Sequence, residues 1–199
     1  ALAPIHRESR IRRVVVSTYQ AISGKGAHAV EAFREQARAS VEGRPIDRQS
    51  IGGQLVGNLL MHWSRDSASG YQDEELKMVF ETRKILGDPE IRVSPTAVRV
   101  PVVTGHSESI TIELETAMTP ARARELLEAA PGIEVIDDFA EGIYPQPVDA
   151  AGKDPVYVGR IREDVGNPGG LQMWVVSDNL RKGAALNAVQ IAEQILLGR

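Results

Sequence analysis

The residues able to do chemistry in this chain are few and sit among apolar runs. Arg99 and His106 share one segment, Val98-Arg99-Val100-Pro101-Val102-Val103-Thr104-Gly105-His106-Ser107-Glu108. A guanidinium grips a carboxylate through parallel N–H donors, and an imidazole moves a proton near neutral pH. In a straight strand their odd separation puts them on opposite faces. Gly105 offers a bend or bulge that would bring His106 round. A surface arginine and a hydrogen-bonded turn histidine is the competing reading. Glu74 and Lys77, three apart in the first turn of a helix, share a face. They would orient an ammonium and grip an anion, or else form a solvated ion pair. Gln20 ends a β-branched run, as a substrate contact or as a satisfied polar residue. Ser23-Gly24-Lys25-Gly26 follows, where backbone amides meet an anion or a cofactor ring. It matches neither the dinucleotide fingerprint nor a Walker loop, and a plain tight turn would explain it as well. Read together, these residues describe an active site for a small anionic substrate.

Other polar and aromatic residues carry less. Arg181 and Lys182 open the last helix, where basic charge opposes the helix dipole; that hints at anion contact, and solvent exposure explains it equally. His28 and His62 have no metal-ligand spacing and read as structural, and no metal site is expected. Trp63 and Trp174 read as core or interface residues.

The elements that must position these groups are legible in outline. Residues 13–19, RVVVSTY, fit a buried strand. Val30, Phe33, Ala37 and Val41 recur at helical spacing up to Gly43-Arg44-Pro45. Residues 46–70 are ambiguous, with Gly52, Gly53 and Gly57 interrupting an apolar stretch. A helix is expected from 73 to about 86, with Asp73 as its cap. Residues 91–104 read as extended, and Ile110, Ile112 and Leu114 alternate with polar residues as a half-buried strand. Thr119-Pro120 opens a helix as cap and first residue, and Pro131-Gly132 closes it. A short strand over 133–136, a loop over 139–154 and strands over 156–161 and 173–176 follow. The last helix spans about 180–197, with Ala184, Ala188, Ile191, Ala192 and Ile195 as its apolar stripe. The fold class is α+β: a mixed, largely antiparallel sheet covered by helices, with neighbouring strands in 91–116 paired antiparallel.

Composition narrows the function classes. With 199 residues, 42% apolar and 25% charged, the chain has the balance of a globular protein. A net charge of -4 gives no basic field for nucleic acid or anionic lipid. No apolar run approaches the roughly 18 residues that would span a bilayer. A cytoplasmic setting is expected. There is no cysteine, which excludes disulfides, thiolate metal sites and a thiol nucleophile within these residues.

Several segments, in order, carry a family resemblance. They are Val14-Val15-Val16-Ser17-Thr18-Tyr19-Gln20-Ala21-Ile22-Ser23-Gly24, Gly70-Tyr71 with Glu74-Glu75-Leu76-Lys77-Met78 and Glu81-Thr82-Arg83-Lys84-Ile85, Arg99-Val100-Pro101-Val102 with Gly105-His106-Ser107-Glu108, Val158-Gly159-Arg160-Ile161-Arg162, and residues 178–193 beginning Asp178-Asn179-Leu180-Arg181-Lys182-Gly183. Over nearly its whole length the chain resembles bacterial-type aspartate-semialdehyde dehydrogenases. The resemblance implies NADPH-dependent reductive dephosphorylation of β-aspartyl phosphate to aspartate semialdehyde, reversible with phosphate and NADP. It implies a cysteine thiolate that carries the acyl group as a thioester. It assigns His106 as general acid/base, Gln20 as positioning the acyl intermediate, Arg99 as the carboxylate ligand and Glu74 as the amino-group ligand. Lys77 would bind phosphate, Ser23 and Gly24 would border the nicotinamide, and Asn179 would contact its carboxamide. It implies a homodimer.

Ala1-Leu2-Ala3-Pro4-Ile5-His6 resembles the helix that follows the cysteine. The chain is therefore expected to be a C-terminal fragment. Residues 1–178 would form the catalytic and dimerisation domain, and 179–199 a helix packing toward a missing N-terminal, Rossmann-type dinucleotide-binding domain. Residues 46–69 and Ser94-Pro95-Thr96 depart from the family pattern. The alternatives are a related N-acetyl-glutamyl-phosphate reductase, against which Glu74 argues, a non-catalytic dimerisation or assembly paralogue, and a free-standing small-anion binding module.

Overall fold

The computed structural model describes residues 1–61 and 69–198. In chain order the elements are α1 (Leu2–Glu8), β1 (Ile11–Gln20), a 3-10 turn (Ile22–Lys25), α2 (Ala27–Val41), α3 (Asp73–Leu86), β2 (Arg92–Arg99) and β3 (His106–Leu114). Then come α4 (Pro120–Glu128), β4 (Ile133–Val135), α5 (Pro147–Ala150), β5 (Val156–Glu163), β6 (Leu171–Ser177), a π-helical turn (Arg181–Ala185) and α6 (Leu186–Leu197). The strands form one sheet in the order β2-β1-β3-β6-β5-β4. Three of its pairings are antiparallel, and β1 with β2 and β4 with β5 are parallel. The sheet is thus mixed and largely antiparallel, as the α+β reading anticipates.

One expectation fails in detail. The two strands within 91–116 do not pair with each other, because β1 lies between them and pairs with both. The β-branched run of β1 has the greater claim to the centre, where ladders form on both sides. Val14, Val16, Thr18 and Gln20 turn to the packed face, and Arg13, Val15, Ser17 and Tyr19 to the other, where they stay partly exposed. The core lies on the packed face, joining Ile5, Val14, Val16, Ile110, Ile112, Leu127, Leu171 and Met173, with Met78 and Leu86 of α3 at its edge. Ile5, Ile112, Leu127 and Leu171 are fully buried, each worth about 1.5–3 kcal/mol of transfer free energy.

The helix ends show which local signals are decisive. Thr119 caps α4 as expected, its Oγ1 accepting the Arg122 N–H at 3.2 Å, with Pro120 first. The α3 cap differs: Gln72, not Asp73, holds the cap position. The Glu75 carboxylate accepts the Gln72 N–H at 3.1 Å and the Ala97 N–H at 2.9 Å, which ties α3 to β2. The described part of the ambiguous stretch is an irregular loop hung on Gln36, 2% exposed on α2. Its Nε2 donates to the Asp47 and Gly53 carbonyls at 2.6 and 2.9 Å, and its Oε1 accepts the Leu55 N–H at 2.8 Å. His62 and Trp63 lie outside the described residues. The expected loop at 139–154 contains the short α5. The last helix begins as a π-helical turn, and its apolar stripe faces outward, with Ile191 and Ile195 exposed. Among the described residues no helix is long and apolar enough to cross a membrane.

Glu75 therefore bears on stability. Glu75→Ala should lower the unfolding free energy by about 2 kcal/mol, because two buried N–H groups lose their acceptor. Urea denaturation should show a lower midpoint at unchanged slope. An unchanged midpoint would show that α3 docks without this carboxylate.

Candidate active site

Strand direction brings the chemical residues together. β1 and β2 run parallel, so their last residues, Gln20 and Arg99, pair side by side. β3 runs against both β1 and β6, so its first residue, His106, lies at the same end of the sheet, opposite Ser177. Asn179 follows β6 by two residues. The first turn of α3 closes the group, with Gln20 Nε2 donating to Glu74 Oε1 at 3.3 Å. Arg99 and His106 thus stand on separate strands flanking β1. The objection that an odd separation splits them across one strand does not arise. Gly105, at φ +97°, makes the turn into β3, and a side chain there would press on Pro147 at about 3.0 Å.

One buried residue holds both key side chains. The Ala21 carbonyl accepts from Arg99 Nη1 at 2.6 Å, and the Ala21 N–H donates to His106 Nδ1 at 3.1 Å. With Nδ1 an acceptor, the neutral ring carries its proton on Nε2. Burial, helped by the Arg99 charge and opposed by Asp178, lowers the His106 pKa to about 4. The ring is therefore neutral at physiological pH. Burial also lowers the Arg99 pKa, and Glu74 pulls it back up; a guanidinium stays charged regardless.

Asn179 ties the remaining parts. Its Oδ1 accepts the Gly105 N–H at 2.9 Å and its Nδ2 donates to Ser23 Oγ at 2.9 Å. This fastens the turn before His106 to the Ser23-Gly24 turn. A Cβ on exposed Gly24 would stand 3.6 Å from Arg99 Nη1, 3.8 Å from Asn179 Nδ2 and 3.9 Å from His106 Cε1, so the bare backbone keeps this approach open.

Other expected residues fare differently. Lys77 contacts Glu74 at 3.9 Å with its side chain 57% exposed, the geometry of the plain ion pair. Arg181 Nε donates to Asp154 at 2.6 Å and Lys182 Nζ to Gln190 at 2.6 Å, so both are engaged by their surroundings. His28 is exposed on α2. Trp174 is partly buried, its Nε1 donating to the Pro145 carbonyl at 3.0 Å. Two contributors were not singled out as site residues from the sequence. The Ala21 backbone has no signature in sequence. Asp178, 3% exposed, accepts the Gly152, Leu180 and Arg181 N–H groups and so fixes the start of the last helix; its place just before that helix is the one available signal.

The His106 environment has a measurable consequence. In the folded chain its pKa lies below the ordinary 6.5. The stability it confers is therefore complete above about pH 6.5 and is lost as pH falls toward 4. Proton-detected titration should place the His106 midpoint near 4, and His106→Gln should flatten the acid side of the stability curve. A midpoint near 6.5 would contradict the buried, Ala21-bound ring.

Comparison with known proteins agrees with this architecture. Residues 2–182 match the family described as semialdehyde dehydrogenase, dimerisation domain. The aspartate-semialdehyde dehydrogenase of Aquifex aeolicus is 51% identical over 197 residues, which is 98% of this chain and 58% of that protein. That of Legionella pneumophila is 48% identical, over 97% of this chain and 56% of that protein. The crystal structure of aspartate semialdehyde dehydrogenase II from Vibrio cholerae, complexed with ASA, superposes with a TM-score of 0.92 at 41% identity, covering 96% of this chain and 56% of that one. The chain spans a little over half the length of the relatives it matches. Matched along nearly all its length in sequence, and with a V. cholerae structure in fold, the chain belongs to the aspartate-semialdehyde dehydrogenase family.

Proposed function

We propose that this chain forms the substrate-holding part of an enzyme that reductively dephosphorylates β-aspartyl phosphate to aspartate semialdehyde with NADPH. The observation that carries the proposal is the shared anchorage of Arg99 and His106 on Ala21, beside the Gln20–Glu74 pair. An amino-acid substrate needs a fixed cation for its carboxylate and a fixed anion for its ammonium. Arg99 and Glu74 supply these, and Gln20 lies between them to position the acyl group. Glu74 favours a free amino group and argues against an N-acetylated glutamyl substrate. Lys77, at the exposed rim, meets the phosphate. His106 presents Nε2–H to the site and holds or moves the proton at that atom while Nδ1 stays on Ala21.

The reading needs two things these 199 residues do not hold: a cysteine thiolate and the body of a nucleotide-binding domain. The residues present fit a nicotinamide edge. Gly24 leaves room for a flat ring beside Arg99 and His106, and Ser23 with the Asn179 amide offers polar contacts for its carboxamide. The bound nicotinamide would supply hydride. The outward apolar stripe of α6 supports 179–199 as a helix that packs against a preceding domain, with 1–178 as the catalytic and dimerisation unit. The family's description and the partly exposed second face of the sheet support a homodimer. A cytoplasmic biosynthetic setting accords with the relatives.

The test is phosphate-dependent NADP reduction with aspartate semialdehyde, using a form of the protein long enough to include the thiol. His106→Ala should lower kcat by about 10²–10⁴-fold. Arg99→Leu should act mainly by raising KM for aspartate semialdehyde. An unchanged kcat in the His106 variant would overturn the assignment, and absence of activity in the long form would leave a binding or assembly role.

A further inference from the structure

The turn that presents Ser23 and Gly24 to the site also carries a cation, Lys25. Two backbone bonds set the turn: the Ile22 and Ser23 N–H groups donate to the Val102 and Val103 carbonyls at 2.9 and 3.0 Å. Lys25 ends it, just before α2 begins at Ala27. The exposed Lys25 side chain runs back to the loop hung on Gln36, where Nζ donates to the Ile51 carbonyl at 3.4 Å. Ile51 is itself buried, in one cluster with Ile22, Ala29 and Leu55. The ammonium therefore has a defined place at the rim of the site.

Its charge is uncompensated at contact distance. Among the described residues no carboxylate lies within 4.0 Å of Lys25 Nζ. The first turn of α2 holds no acidic residue. Partial burial lowers the Lys25 pKa, and the Arg99 charge lowers it further, so the two cations stand within electrostatic reach of each other. Gly24 lies beside both, its Cβ position 3.6 Å from Arg99 Nη1. Like charges held near one another repel, and an anion placed between them relieves the cost. The other lysine at the site differs, since Glu74 stands 3.9 Å from Lys77 Nζ. The bond to Ile51 is long for a hydrogen bond, and an ammonium has three donors, so Lys25 keeps donors for a ligand.

A compact ammonium suits a phosphate oxygen, whereas a planar guanidinium suits a carboxylate. With the substrate carboxylate given to Arg99, the anions left for Lys25 are phosphates. We propose that in the reaction put forward above, on which this reading rests, Lys25 binds a phosphate group at the mouth of the active site, as a second phosphate contact besides Lys77. The reaction offers that chemistry from two sources, orthophosphate and the dinucleotide.

Phosphorus NMR titration of the form long enough to include the thiol, with orthophosphate and NADP as separate probes, reads binding without turnover. Lys25→Gln keeps an N–H donor and removes the charge. It should weaken binding of one probe or both roughly tenfold, and Lys25→Arg should restore binding to within about threefold. Loss for orthophosphate alone gives Lys25 to the inorganic substrate, and loss for NADP alone gives it to the dinucleotide. Unchanged binding of both probes would overturn the proposal. So would an equal loss in Lys25→Arg, which would place the effect in the shape of the turn and not in its charge. A long form that lacks activity, yet loses phosphate on Lys25→Gln, would sink the reaction and leave the phosphate site standing.

Discussion

A buried peptide group must find hydrogen-bond partners, and at Ala21 two side chains provide them. Ala21 is completely buried where β1 ends. Its N–H finds the His106 imidazole and its carbonyl the Arg99 guanidinium. Leaving either group unpaired would cost free energy comparable to a lost hydrogen bond. The demand that keeps the strand end folded thus also keeps the imidazole and the cation in register. On either side the backbone continues its pairing, with Val100 donating to Gln20 and Ile22 to Val102, so this geometry has little freedom to drift.

The surrounding scaffold secures the same point with buried polar groups. Arg99 exchanges backbone hydrogen bonds with Leu60, at 2.7 and 3.1 Å. Leu60 belongs to the loop that Gln36 organises, and Gln72 Nε2 holds the next residue, Met61, through its carbonyl at 2.6 Å. Glu75 ties the helix bearing Glu74 to β2, the strand that ends in Arg99. Apolar burial drives formation of the sheet, and these directional bonds fix angles that dispersion leaves soft.

Periodicity and capping chemistry make much of this legible. The β-branched run of β1, the Thr119-Pro120 start of α4 and the extent of α3 follow from local rules that nothing tertiary opposes. The site residues were readable as types only in combination, since an arginine near a histidine, or a glutamate three residues from a lysine, is common and each has a plain structural reading. Their arrangement was not. Strand order depends on which ladder wins, and nothing local to 91–116 shows that β1 inserts between its two strands. Ala21 acts through atoms every residue has. The amide of Gln36 looks like any polar helix residue until the loop closes over it. Arg181 and Lys182 were left between anion contact and solvent exposure by helix-dipole logic, and only the structure shows Arg181 on the Asp154 carboxylate and Lys182 on the neutral Gln190 amide.

The hydrogen bond between Ser23 and Asn179 joins residues 156 positions apart. No local segment of the chain holds the site. Contacts of such separation form only after the entropy of closing the intervening loop has been met, which slows folding. A ribosome extruding this sequence releases Gln20, Arg99 and His106 long before the segment that fastens them. Until β6 docks on β3, the nascent chain has the groups but no pocket. Acquisition of function is thus a late event in biogenesis, coincident with completion of the sheet.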